Sequence, residues 1–354
     1  MKSQINCVPV VIPTCNRIIH LKRCIESLRK CSLANQTDII ISVDYPPNEK
    51  YVEGYNEICN WLKSGINGFK SVKIIYQEKN IGAYQNYLFL SDYAANKYDG
   101  FIFTEDDNEV SPCFLEFVNK CLQLSIYDDR VVSVSGFCAL SNYHSIKNNI
   151  SYVKKNSCWG VGYASSKWVK IREIINDEYI KKIIKSRKLS KRLINTSKMR
   201  FVQLVYYALD DLKGCSDTGA IVIDIFISIY EAIENKYQIQ PHISMIRNWG
   251  NDGSGVNSPN LDEDALNFII DEGVDFEINY CKEYDLRDLD NKQLYKDDEN
   301  VYSKKVVNRF IIFAEIYRLI GKEKAKTLYK GWNKILEVWE ISKIRRIYKK
   351  MKSK

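Results

Sequence analysis

The sequence predicts an α/β protein: a mostly parallel sheet flanked by helices, with a helical C-terminal extension. Three patterns predict it. Short β-branched runs alternate with amphipathic helical patterns over the first 140 residues. Polar and acidic residues follow the ends of those runs, where ligands sit in open parallel sheets. From about residue 303, apolar residues recur at helical spacing.

The strand candidates are Cys7 to Ile12, Asp38 to Val43, Ser71 to Tyr76, Phe101 to Thr104 and Arg130 to Ser135. Between the first two, Leu21, Cys24, Ile25, Leu28 and Cys31 fall on one helical face. Between the next two, Tyr51, Val52, Tyr55, Ile58, Cys59 and Leu62 do the same. Strand, helix, strand in repetition calls for parallel returns, each of which needs a crossover. Ser111 followed by Pro112 is a suitable N-cap and first helical residue. After Ser157 the pattern is mainly helical, with one further strand expected from Ile239 to Arg247, then a glycine-rich loop. The expected organisation is a catalytic domain over 1–257, with a nucleotide-binding half (1–140) and an acceptor-side half (141–257). An acidic connector (258–300) and a basic helical tail (301–354) follow.

Composition narrows the class. Of 354 residues, 45% are hydrophobic and 27% charged, enough to build a core and unlike a disordered chain. The 11 cysteines form no C-x-x-C pair, so they read as reduced, buried thiols. No long apolar run and no signal-peptide pattern occurs, which gives a cytoplasmic expectation. The net charge of +8 is uneven: residues 301–354 hold 16 Lys and Arg against 4 acids, and Lys181 to Arg200 holds nine basic residues and no acid. Aromatic residues among the tail's cations suit an anionic membrane surface. Nucleic acid is not expected, because the basic residues come without a recognised binding module.

The strongest chemical signal is Glu105, Asp106 and Asp107 directly after an apolar strand. Adjacent carboxylates raise one another's pKa unless a cation compensates, and Mg2+ or Mn2+ held by one or two carboxylates and substrate phosphates is the economical answer. An acidic surface turn is the plain alternative. Val222-Ile223-Asp224-Ile225-Phe226 places a single carboxylate in an apolar helical run. Such a group needs a partner or a cleft, and desolvation makes it a better base. Its competitors are Asp210, Asp211 and Asp217. No histidine triad or Gly-x-Ser-x-Gly elbow is present.

Val-Val-Ile-Pro-Thr-Cys-Asn-Arg (10–17), Ser-Val-Asp (42–44), Lys-Asn-Ile-Gly (79–82) and Glu-Asp-Asp (105–107) together resemble the GT-A glycosyltransferases of the family 2 type. Residues 105–117 also look like the matching stretch of alpha-mannoside beta-1,2-N-acetylglucosaminyltransferases. The resemblance implies a GT-A fold (nucleotide-diphospho-sugar transferase-like) and a nucleotide-sugar donor. It implies that Pro13, Thr14 and Arg17 line the nucleotide pocket, that Asp44 meets the uracil or ribose, and that Asn80 and Gly82 border the base. Glu105 would be among the nucleotide-sugar-binding residues, Asp106 would face the ribose or donor sugar, and Asp107 would hold the metal. Ser157 to Tyr163 resembles the Trp-Gly-x-Gly segment that approaches the sugars, through Trp159 and Gly160, although Trp-Gly can also be packing. Asp224 matches the catalytic base, and Arg247 would neutralise the departing diphosphate. Where many metal-dependent relatives carry a histidine, this chain has Asn257, which puts a third protein ligand in doubt.

The resulting expectation is an inverting, metal-dependent transfer from a UDP-sugar to a glycan or lipid-linked acceptor in cell-surface polysaccharide synthesis. A sugar-nucleotide nucleotidyltransferase is a rival, weakened because Ile12 to Arg17 has no glycine. A non-catalytic scaffold that binds nucleotide or membrane is the other.

Overall fold

The β-branched runs near the N-terminus form strands because their side chains alternate between two buried faces. The computed structural model describes residues 7–138, 150–154, 156–211, 223–241, 244–252, 254 and 303–333. The elements in chain order are β1 (Val10–Thr14), α1 (Ile18–Arg29), β2 (Asp38–Val43), α2 (Val52–Lys63), β3 (Ser71–Tyr76), α3 (Gly82–Ala95), β4 (Gly100–Phe103), β5 (Asn108–Val110), α4 (Phe114–Tyr127) and β6 (Val131–Ser135). Then come β7 (Ile150–Val153), β8 (Val161–Ala164), α5 (Ser165–Ile174), α6 (Asp177–Lys185), α7 (Arg187–Thr196), α8 (Lys198–Ala208), α9 (Ile223–Glu234), β9 (Tyr237–Pro241), β10 (Ile246–Asn248) and α10 (Lys304–Ile320). A further helix, α11, covers 322–333.

The chain forms two compact units. The first comprises Met1–Ile175 with Ile221–Leu294, and the second Asn176–Ala220 with Tyr295–Lys354. The segment from 176 to 211 therefore folds with 303–333. The expected boundary at 257 and the acidic connector lie outside the described residues.

In the first unit, eight strands form one sheet in the order β3-β2-β1-β4-β8-β6-β9-β7. The pairs β3/β2, β2/β1, β1/β4 and β6/β9 are parallel; β8 runs antiparallel to both neighbours, and β7 antiparallel to β9. This is the mostly parallel sheet that the sequence predicts. The strand alternation sorts the core into two layers. Val10, Ile12, Ile39, Ile41 and Ile102 pack with α1, α2 and α4 on one face. Val11, Ile40, Phe101 and Phe103 pack with α3, α5 and α9 on the other. Each such aliphatic side chain taken out of water contributes about 1.5–3 kcal/mol.

Three expectations need correction. The first strand starts at Val10 instead of Cys7, since Pro9 lacks the N–H a ladder needs. Ser111 is not a helix cap: its N–H donates to the carbonyl of Met245 at 2.9 Å, and α4 begins at Phe114. The single strand expected from Ile239 to Arg247 is two strands. β9 joins the large sheet, whereas β10 leaves it to pair antiparallel with β5. That ribbon, with Asn108 opposite Asn248 and Glu109 opposite Arg247, occupies what the sequence suggests is a plain strand-to-helix loop.

The second unit is helical. α10 presents Val307, Phe310, Ala314 and Tyr317 to its interior, at the spacing of one helical face. Phe310 lies 4.5 Å from Tyr206 between ring centroids, and Phe313 lies 5.2 Å from Tyr329. Arg318 fixes α10 against the neighbouring helices, donating to the carbonyl of Ile184 (2.6 Å), Ser190 Oγ (2.7 Å) and Glu315 (2.6 Å). Among the described residues, no helix is long and apolar enough to cross a membrane.

Candidate active site

Strands β1 and β4 are neighbours whose crossovers leave in opposite directions, with β2 and β3 on one side and β8 on the other. Such a switch point opens a crevice at the strands' carboxyl ends. Thr14 and Arg17 follow β1 there, and Glu105, Asp106 and Asp107 follow β4.

The carboxylates are held by named donors. Thr14 Oγ1 donates to Asp106 Oδ2 at 2.7 Å. The Arg17 guanidinium forks between two acids, Nη2 on Asp106 and Nη1 on Asp107 Oδ2, the latter at 2.8 Å. Asn248, on β10, donates from Nδ2 to Asp107 Oδ1 at 2.7 Å and to Asn108 Oδ1 at 2.9 Å. The Trp249 N–H bonds the Asp107 carbonyl at 2.9 Å. Gly250 lies so close that a Cβ there would come within 2.3 Å of Asp107 Oδ2. The β5–β10 ribbon thus clamps the acidic triplet from the side opposite β1.

Burial first, then the charge of Asp107, and further the charges of Asp106 and Asp224, push the partly buried Glu105 up to about 8, against the lowering effect of Arg17. Burial also raises Asp106, even with Arg17 and Thr14 holding its charged form. The influence of Asp224 on Glu105 brings α9 into the same electrostatic neighbourhood. It also acts on the partly buried Cys158 thiol, which desolvation chiefly and then Asp224 raise well above its usual value. Asp224 sits in the first turn of α9, half-buried.

The remaining expected residues divide by what they touch. Asp44 is fully engaged in its own loop: Oδ1 accepts from the N–H groups of Tyr45 and Ile81 (2.9 Å each), and Oδ2 from Gly82 N (2.8 Å) and Asn80 Nδ2 (3.1 Å). Asn80 donates also to the Tyr45 carbonyl at 2.6 Å. Gly82 has φ of 80°, which permits the sharp entry into α3. These three residues build the rim of the crevice. Pro13 is in β1, partly buried and in register with Ser42.

Trp159 packs edge-on against Phe137 at 4.6 Å, and its carbonyl accepts from Ser135 Oγ at 3.1 Å. Gly160 has φ of 58°, and a Cβ there would lie 2.6 Å from Ile246 Cδ1. Packing alone therefore requires a glycine at this position. Arg247 pairs across the ribbon with Glu109 at 4.0 Å and lies 5.6 Å from the Trp249 ring, which Arg23 also covers at 4.2 Å. His20, buried on α1, bonds Asp252 Oδ2 at 3.0 Å and Ser254 Oγ at 3.3 Å, a structural tie for the loop after β10. Asn257, His144, His242 and Asp217 lie outside the described residues.

Sequence reasoning missed Asn248 and Gly250 as supports of Asp107. Both lie in the glycine-rich loop already singled out, but only the β5–β10 pairing, across about 140 residues, shows which carboxylate they serve.

A divalent cation fits this donor set by charge. Asp106 and Asp107 share the Arg17 guanidinium with Glu105 adjacent, and hard oxygen donors are what Mg2+ and Mn2+ prefer. Among the described residues, no group of three or more His, Cys, Asp or Glu side chains is arranged as a ready protein cage.

Residues 1–168 match the model of the GNT-I family. No curated protein matches the chain in sequence. Among solved structures, S. aureus TarS 1–349 is 13% identical with a TM-score of 0.33, covering 48% of this chain and 50% of its own length. The same TarS fragment in complex with UDP is 14% identical with a TM-score of 0.31, covering 49% and 51%. The apo form of mouse xyloside xylosyltransferase 1 is 8% identical with a TM-score of 0.37, covering 65% and 83%. The chain spans about half the length of the TarS fragment it matches, and at these scores the likenesses bear on no detail of its chemistry. The family match thus covers a little under half of the chain, the part that includes the acidic triplet at the switch point of the sheet.

Proposed function

We propose that the protein transfers a sugar from a nucleotide-sugar donor, a UDP-sugar, to an acceptor hydroxyl with inversion at the anomeric carbon. The observation that carries this reading is the acidic triplet at the switch point of the sheet, with Arg17 bridging Asp106 and Asp107 at the edge where such sheets bind nucleotides.

Asp107 would hold the divalent metal, Mn2+ or Mg2+, with Asn248 and Gly250 fixing its carboxylate. When bound, the metal supplies Lewis-acid charge to the departing diphosphate. Arg17 stands between Asp106 and Asp107 and donates to both carboxylates. Thr14 orients Asp106 toward the ribose or donor sugar. Asp44, Asn80 and Gly82 shape the base side of the pocket, with Pro13 on its floor. Trp159 and Gly160 border the sugars, and Arg247 faces the leaving group.

In the chemical step, the acceptor oxygen forms a bond to the anomeric carbon as the bond from that carbon to the β-phosphate oxygen breaks. The electron pair leaves with the diphosphate, and the acceptor's proton passes to the carboxylate of Asp224. One displacement of this kind inverts the centre. The partners this reading assigns are the donor, a glycan or lipid-linked acceptor of cell-surface polysaccharide synthesis, and an anionic membrane surface met by the basic tail from a cytoplasmic location.

Calorimetry with UDP tests the reading. Binding that requires Mn2+ or Mg2+ and is lost in Asp107→Ala supports it. UDP binding indifferent to metal and to that substitution removes it. A nucleotidyltransferase would instead release pyrophosphate from a nucleoside triphosphate and sugar phosphate.

A further inference from the structure

Two basic stretches far apart in sequence come together in the second unit. Its described residues, 176–211 and 303–333, carry 17 Lys and Arg against 6 Asp and Glu. An open cavity of about 710 Å³ lies between the end of α6 and the turn joining α10 to α11, lined by Glu178, Lys181, Lys185, Tyr317, Arg318 and Lys322. Lys181 shares its charge with Glu178 at 2.6 Å, and Lys322 with Asp210 at 2.6 Å. Arg318 is spent on its bonds within the unit. Lys185 is exposed and has no ion-pair or hydrogen-bond partner among the described residues.

Beside the cavity, the same turn holds two large aliphatic side chains in water, Leu319 at 76% exposure and Ile320 at 41%. α10 uses its other face for packing. Leu319 lies nine residues from the fully buried Phe310, about 180° around the helix, and Ile312, also exposed, lies on its own side. The left-handed Gly321, at φ of 82°, ends the helix immediately after these two residues.

Cations around a cavity with aliphatic prongs at its lip match one kind of partner: a phase that offers phosphate at its surface and hydrocarbon just beneath. A nucleic acid would satisfy the lysines and leave Leu319 and Ile320 in water. We propose that the turn between α10 and α11 docks on an anionic phospholipid bilayer, with Leu319 and Ile320 entering the interface and a lipid phosphate held in the cavity by Lys181, Lys185 and Lys322. This deepens the membrane partner named above, placing it at the turn instead of the far tail. It uses no residue of the transfer site.

The test is co-sedimentation of the full chain with vesicles of phosphatidylcholine alone and of phosphatidylcholine mixed with phosphatidylglycerol, at low and high salt. Metal-dependent UDP binding is measured on the same samples, so that failure here is separable from failure of the transferase reading. The expected result is binding to the mixed vesicles only, weakened by salt, by about fivefold in Lys185→Gln and by about tenfold in Leu319→Ser. Both residues are exposed, so both variants fold, as unchanged circular dichroism and Tm will report. Duplex DNA in excess, at matched ionic strength, should leave vesicle binding largely intact. Equal binding to neutral vesicles, no binding to either, full binding by Leu319→Ser, or displacement by duplex DNA would each overturn the proposal.

Discussion

Replacing Arg17 with methionine probes the site most directly, because one guanidinium answers for two acids. Its side chain is 18% exposed, and those of Asp106 and Asp107 are 4% and 9% exposed. Breaking a buried pair by removing one partner costs about 3–5 kcal/mol, since the other charge is left in a poor medium. Two carboxylates are orphaned here, but Thr14 and Asn248 still donate to them, so about 3 kcal/mol is the expected loss for the metal-free protein near neutral pH.

The pH dependence follows from the direction of the carboxyl shifts. Glu105 and Asp106 have folded pKa values above their unfolded ones, so the folded state binds more protons and stability falls as pH rises from the unfolded values through the folded ones. Removing Arg17 raises those folded values further, so the deficit of the variant grows with pH and shrinks toward pH 5. Urea unfolding across that range, with and without Mn2+, measures it. Mn2+ should return part of the loss, and Arg17→Lys should lose less than Arg17→Met. A deficit under about 1 kcal/mol, flat in pH and indifferent to metal, would refute the account of the cluster as a charge imbalance.

Other outcomes are equally specific. Glu105→Gln should stabilise the metal-free protein by about 3 kcal/mol at pH 7, the figure implied by moving its pKa from 4.5 to about 8, and should flatten the stability curve between those values. Parallel curves for variant and wild type would contradict the shift. Gly250→Ala places a methyl group against Asp107 Oδ2; metal-dependent UDP affinity should fall at least about tenfold while global stability drops only about 1–2 kcal/mol. Asp224→Asn should keep UDP and metal binding yet lose on the order of a hundredfold or more in turnover. Full turnover in that variant would remove Asp224 as the base.

The sheet's parallel core was readable from local pattern. β2 falls where its β-branched run begins and ends, because a strand buried on both faces leaves an unbroken apolar signature, whereas β3, at the sheet edge and with no buried residue, is marked by its β-branched residues alone. β5, β7 and β8 were not readable. They are three or four residues long, and β8 contains a glycine that reads as a substrate-approach motif. The role of Gly160 illustrates the difference: its sequence context suggests a place for sugar, whereas Ile246 and Phe114 close over it from other elements.

By itself, the sequence determined the kinds of chemistry available: an acidic triplet at a strand end, a lone Asp in an apolar helix, and basic runs in two places. Such signals are local, carried by adjacent residues or by one helical or strand period. Tertiary structure alone decided the partners. It turned Arg17 onto Asp106 and Asp107, brought Asn248 and Gly250 to Asp107, and joined residues 176–211 to 303–333 in one basic unit. Charges separated by a hundred residues act on one another only through the distance that folding sets between them, and no periodicity along the chain encodes that distance.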